Sequence, residues 1–190
     1  MSQNPFEEKP SGPSLDSGSK FLLGANAVLL LLWAWWTFRT YHSLPATIPL
    51  HFGPSGAADR WGERSIPNWF LLLFVGAGMA GIETAVAMII PLLVRKRPEL
   101  VNLPKKARFL ALPEEEKRKV GVYLRWMMLF PALIMTAGLW MIHGMIYETI
   151  RTGGDRLGIS QVLFPLALMM GGFVIGTIVF FKNYLKMVRD

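Results

Sequence analysis

The chain contains no cysteine, which excludes disulfides, thiolate metal sites and cysteine nucleophiles together. Histidine is scarce, with three copies, and carboxylates number 13, so any metal site must be assembled from that short set. Charge is sparse too: 17% of the 190 residues are Asp, Glu, Lys or Arg, against 52% apolar. With a mean hydropathy of +0.36, that balance is too apolar for an ordinary soluble domain and points to a membrane protein. There is no glycine-rich phosphate loop, no G-x-S-x-G turn and no paired carboxylates in an acid–base arrangement. The expectation is therefore a protein that is not an enzyme, with no cofactor predicted.

What the sequence has in abundance is apolar runs. Four of them, at about 21–40, 67–94, 120–147 and 159–181, are long enough to cross a hydrocarbon core of roughly 30 Å at 1.5 Å per residue. They predict an all-α integral membrane protein with four transmembrane helices. The first run is preceded by a tail without a basic region and is followed by no small-x-small cleavage pattern, so it reads as a span and not a signal peptide. The tail 1–19 is rich in Ser, Gly, Pro and acids and is expected to be disordered unless a partner holds it. Residues 20–190 form the transmembrane domain, with connecting loops at 41–66 and 95–119.

The basic residues set a direction. Fourteen Lys and Arg lie in the tail, the loop 95–119 and the C-terminal end, against five on the other side. That bias predicts both termini and the basic loop in the cytoplasm and the loop 41–66 outside, as an irregular extracytoplasmic connector. The net charge of +7 then reflects topology and anionic lipid, with no nucleic acid expected. Trp33, Trp35, Trp36, Trp61, Trp69 and Trp140 fall near the outer boundary and predict an interfacial aromatic girdle. The implied location is the bacterial cytoplasmic membrane.

Inside the spans, Glu83 is the most expensive residue, and it requires a partner, a proton or a polar cavity. Arg125, near the start of the third span, is a candidate partner, as are Asn26, Thr84 and Thr136. The pairs Gly76/Ala80, Ala77/Gly81 and Gly172/Gly176 have the spacing that lets helices touch. Pro91, Pro131 and Pro165 predict kinks or local breaks. Pro113 followed by Glu114, Glu115 and Glu116 predicts a helix start about two turns before the third span, with i,i+4 pairs from Glu114 to Arg118 and from Glu115 to Lys119.

His42, His51 and His143 all fall on the predicted outer side with Asp59, Glu63, Glu148 and Asp155. They are weak metal candidates, because no two have a tight ligand spacing, and they define the alternative of a metal- or haem-bearing redox subunit. A histidine packed against Trp or bonded to backbone is the plainer expectation. The string LPATIPLHFGPSGAADRWGERS, residues 44–65, resembles the signature of a bacterial membrane family, domain of unknown function 1648. That pattern also forms the N-terminal part of SdpI-like proteins. The matching residues are Leu44, Pro45, Ile48, Pro49, His51, Phe52, Gly56, Asp59, Trp61 and Gly62. The resemblance implies a shaped outer loop, and through SdpI-like members it implies immunity to, or sensing of, a secreted peptide. Taken together, the expectation is a binding or accessory subunit of a membrane complex. Its loop would cap the bundle and contact a ligand or partner through His51, Phe52, Asp59 and Trp61. Membrane lipids and other membrane protein subunits or a peptide are the expected partners.

Overall fold

A computed structural model describes residues 15–189. The first fourteen residues of the predicted tail lie outside the described residues. The remainder is built from helix α1 (Ser17–Tyr41), strands β1 (Thr47–Phe52) and β2 (Ala58–Glu63), the short helix α2 (Ile66–Trp69), α3 (Leu71–Lys96), α4 (Lys106–Ala111), α5 (Glu114–Arg151) and α6 (Ile159–Met187). Helices α1, α3, α5 and α6 are each long and apolar enough to cross a membrane. Their cores agree with the four predicted runs.

Helix α5 is the hub, and α1, α3 and α6 pack on it. Its 38 residues give a rod of about 57 Å, well beyond the hydrocarbon thickness. The excess lies partly at its start, where Glu114, Glu115 and Glu116 occupy the first turn and suit the positive end of the helix dipole. Their ion pairs form at i,i+3, from Glu114 to Lys117, Glu115 to Arg118 and Glu116 to Lys119, and not at the predicted i,i+4 spacing. Both spacings share a helix face, and the shorter one fits the rotamers here.

The three span prolines do not break their helices. Pro91, Pro131 and Pro165 lie inside continuous α3, α5 and α6 and are buried. Each sits against a glycine of the neighbouring helix. A Cβ on Gly121 would approach Pro91 Cα at 3.2 Å, one on Gly176 would lie 3.5 Å from Pro131 Cγ, and one on Gly138 would lie 3.4 Å from the Pro165 carbonyl oxygen. The grooves left by Gly121 and Gly176 thus receive a proline, whereas that at Gly138 receives first the Met169 side chain, whose Cγ would lie 2.5 Å from a Cβ there, and close helix approach results. Of the predicted small-residue pairs, Gly76/Ala80 packs inward and Gly172/Gly176 packs on α5, whereas Gly81 has no neighbour within 4 Å.

The basic loop folds under its end of the bundle. Phe109 of α4 is fully buried beside Val94, Val120, Leu124, Phe180 and Tyr184. Tyr184 donates its hydroxyl to the Pro104 carbonyl, and the Lys105 and Arg108 side chains donate to the Val188 carbonyl at the end of α6. Cations at a helix C-terminus satisfy free carbonyls and suit the dipole.

At that same end, Asp16 starts α1. Its carboxylate accepts from the Ser19 N–H at 2.9 Å and the Ser19 hydroxyl, and also from Trp126 Nε1 of α5 at 2.9 Å. Arg125 Nη1 lies 3.6 Å from it. The helix therefore begins inside the stretch 1–19 expected to be tail, because an N-cap residue and a cationic partner are available there. Gly18 makes the approach possible, since a Cβ there would overlap the Trp126 ring.

Two outcomes follow. Gly121→Leu is expected to lower stability by about 1–3 kcal/mol by forcing α3 from α5, while Gly81→Leu, in open space, is expected to be near neutral. Chemical denaturation in mild detergent measures both. For Asp16, partial burial pushes the carboxyl up, but hydrogen bonds from Ser19 and Trp126 outweigh it and hold the group below its ordinary 3.8. A depressed folded-state pKa means stability present above 3.8 and lost as pH falls through the lower folded value. Asp16→Ala is expected to cost about 0.5–2 kcal/mol at pH 6–7 from the lost cap, with the difference from wild type shrinking below pH 4. An undiminished difference at low pH would refute the charged cap.

Candidate functional site

The connector 41–66 is not irregular throughout. Strands β1 and β2 pair antiparallel, with Thr47 opposite Glu63, Ile48 opposite Gly62 and Pro49 opposite Trp61. The shaped outer loop is thus a hairpin, obscured in sequence by Pro49 within a strand and by two irregularities of register. After Pro49 the partners become His51 with Arg60 and then Phe52 with Ala58, so Leu50 and then Asp59 are the extra residues. Gly56, at φ +79°, sits at the turn, where a side chain would be strained and would strike the Leu157 carbonyl.

The hairpin is tied at both ends. At its base, Arg64 Nη1 donates to the Leu44 carbonyl at 2.6 Å and its guanidinium lies over Tyr41. Asn68 donates to the Glu63 carbonyl at 2.8 Å. At its tip, the Ala58 N–H donates to the Asp155 carbonyl at 2.7 Å and the Leu157 N–H to the Gly56 carbonyl at 2.8 Å. The segment joining α5 to α6 therefore extends the hairpin, as the pairing of Ala57 with Arg156 also shows.

The bulges aim side chains in opposite directions. His51 and Asp59 meet on the exposed side, with Nδ1 and Oδ1 2.6 Å apart, and Trp61 is exposed beside them. Phe52 turns the other way and lines a cavity between hairpin and helices. So the four residues singled out from the sequence share one hairpin but divide between its two sides. Asp59 takes His51 as its partner.

Beneath the hairpin lies a cluster that the girdle reading did not foresee. His143 is 1% exposed and Trp33 is 0% exposed, and the histidine is packed against Trp, as its plainer expectation had it. Trp33 Nε1 donates to His143 Nδ1 at 3.0 Å, joining α1 to α5. Trp69 is buried over the same imidazole, 4.3 Å between ring centroids, and its own Nε1 donates to the Thr37 carbonyl at 3.0 Å. Trp36 and Tyr147 complete the box edge-on. Gly76 of α3 faces Trp33, where a Cβ would come within 2.6 Å of the ring. Trp35 and Trp61 are exposed, so the tryptophans separate into a buried set and an exposed set. Helical spacing carried that signal: Trp33, Trp36, Thr37 and Thr40 share a face one to two turns long, and Trp35 does not.

The three histidines do not converge. His42 stacks edge-on to Phe38 and Tyr41, His51 pairs with Asp59 and His143 stands among tryptophans. Glu148 pairs with Arg151. Among the described residues, no three His, Asp or Glu form a group that could hold a metal ion.

In the membrane interior, Glu83 and Arg125 are not partners. Arg125 is buried and faces Asp16, because its long side chain reaches back to the start of α1. Glu83 Oε2 and Asn26 Oδ1 are both buried without a hydrogen-bond partner among the described residues.

Comparison with known proteins places this architecture. The family model for "Domain of unknown function (DUF1648)" matches residues 27–76, from the middle of α1 through the hairpin into α3. An archaeal protein from Archaeoglobus fulgidus, described as uncharacterized, is 31% identical over 184 residues, which cover 93% of this chain and 91% of the relative. No solved structure gives a significant match. The hairpin motif and the near full-length relative together assign the chain to a family: it belongs to the DUF1648 family of helical membrane proteins.

Proposed function

We propose that this is a non-enzymatic multi-pass protein of a bacterial or archaeal cytoplasmic membrane, with both termini inside, acting as a binding or accessory subunit. Its hairpin is the recognition surface, and the partner is another protein, either a membrane subunit or a secreted peptide. One observation carries the reading: the hairpin is tied at base and tip, yet it turns His51, Asp59 and Trp61 to the exposed side. A loop held so firmly presents a fixed surface and loses little entropy on binding. Exposed Trp is a residue type favoured at the centre of protein interfaces. The clustering of Lys and Arg in the tail, the 95–119 loop and the C-terminal end supports the orientation.

The lack of cysteine makes the orientation simple to test. In Ser55→Cys, a membrane-impermeant maleimide is expected to label the hairpin turn in intact cells. In Lys106→Cys, labelling is expected only after permeabilisation, and the reverse pattern overturns the orientation. For recognition, a photo-crosslinking residue in place of Trp61 is expected to give a protein adduct of defined mass in native membranes. The same residue in place of Ile82, exposed on the apolar surface of α3, is expected to react with lipid. Absence of any protein adduct from position 61 would sink the reading.

A further inference from the structure

The side of the hairpin turned towards the bundle borders a half-open cavity of about 150 Å³. Leu50, Phe52, Leu72 and Ile146 supply apolar wall, and the polar side chains facing it are His143, Arg60 and Asn68. Their chemistry is one-sided. An indole N–H can only donate, so the bond from Trp33 leaves His143 Nδ1 as acceptor and puts the ring hydrogen on Nε2. The bond through Nδ1 is the hydrogen bond His143 makes among the described residues, and the residue lines the cavity. Arg60 forms no ion pair among the described residues. No carboxylate lines the space. A ring N–H from His143, a cation from Arg60 and apolar wall around the same space define what fits.

We propose that this cavity is a binding site for a small aliphatic carboxylate. The carboxylate accepts from His143 Nε2–H and from the Arg60 guanidinium, and the alkyl group packs against Leu50, Phe52 and Ile146. The volume matches that of a cavity of ~150 Å³ that accepts benzene, so the buried part has about six non-hydrogen atoms. A free short-chain acid and the C-terminal carboxylate of a peptide ending in a small aliphatic residue share this chemistry. Charge-assisted hydrogen bonds are stronger than neutral ones, which separates a carboxylate from its amide. The apolar wall separates it from inorganic phosphate. The inference goes beyond partner recognition by the exposed side of the hairpin, because none of His51, Asp59 and Trp61 lines the cavity.

The experiment uses the full-length protein in phosphatidylcholine nanodiscs, titrated with isobutyrate, isobutyramide, inorganic phosphate and a tripeptide ending in valine as the free acid or the amide. Binding is read as the rise in thermal midpoint and as movement of the His143 Nε2–H nuclear magnetic resonance signal, one of only three imidazoles. Isobutyrate or the free-acid tripeptide is expected to saturate both readouts, and isobutyramide and phosphate are expected to fail. A response to isobutyrate points to a free acid, and a response to the tripeptide acid alone points to a peptide terminus. Arg60→Gln, at an exposed position, is expected to keep the unliganded midpoint and weaken carboxylate binding at least tenfold. Equal responses to acid and amide, binding of phosphate, unchanged affinity in Arg60→Gln, or no response by either carboxylate would each overturn the proposal. A missing crosslink at position 61 would bear only on the partner reading.

Discussion

Three of the four spans converge on the hydrogen bond from Trp33 to His143. Trp33 comes from α1 and His143 from α5, and Trp33 is seated in the space that Gly76 leaves on α3. Water is absent from a hydrocarbon core, so a polar side-chain atom placed there is costly unless it finds a partner within the protein. The indole and the imidazole solve that problem for each other, at the cost of one donor left pointing elsewhere. Trp69 repeats the solution by donating to the Thr37 carbonyl, which brings the short helix α2 down onto α1. Once the roof of this box is in place, the hairpin between α1 and α2 has little freedom in where it leaves and re-enters the bundle.

The opposite end is closed by different means. There Asp16 holds Ser19, Trp126 and Arg125, while Phe109 and Tyr184 fill the space under α3, α5 and α6. A polar knot works at that end because it lies where α1 begins and its first N–H groups need acceptors anyway. The two closures divide the labour: aromatic stacking and buried donors under the hairpin, ionic and hydrophobic packing at the basic loop. Among the described residues, Glu83 Oε2, Asn26 Oδ1 and Thr177 Oγ1, each on a different span, are buried without a hydrogen-bond partner, as are Nε and Nη1 of Arg125, which faces Asp16 at ion-pair distance only.

The spans were legible in the sequence because length and apolarity are one-dimensional properties, and Arg39, Arg95 and Lys182 mark where they stop being apolar. The hairpin was only partly legible. The motif that includes Pro45, Pro49 and Gly56 implied a shaped loop, but a proline inside a strand and two extra residues hid the alternation that identifies a hairpin. The tryptophans misled for another reason. Nearness to a boundary in sequence gives depth in the membrane, whereas burial depends on which face of the helix a residue occupies. Trp33 and Trp35 differ by two positions, about 200° around the helix, so one enters the bundle and the other leaves it. The pairing of His143 with Trp33 across 110 residues had no local signature at all.

That long-range pairing also bears on what the family unit is. The matched domain ends at Gly76, so it contains Trp33, Trp69, the hairpin and the glycine that seats Trp33, but not His143. Taken alone, that segment would leave two indoles and the inner side of the hairpin facing lipid or water, with no acceptor for the Trp33 N–H. Helix α5 supplies the acceptor, and it also supplies Trp126 and Arg125 for Asp16, so both ends of α1 are completed by the same partner helix. The α5–α6 connection then fastens the hairpin tip through Asp155 and Leu157. A motif of fifty residues is therefore the recognisable part of a structure whose physical unit is longer. The archaeal relative agrees, since its likeness runs through all four spans and does not stop where the motif does.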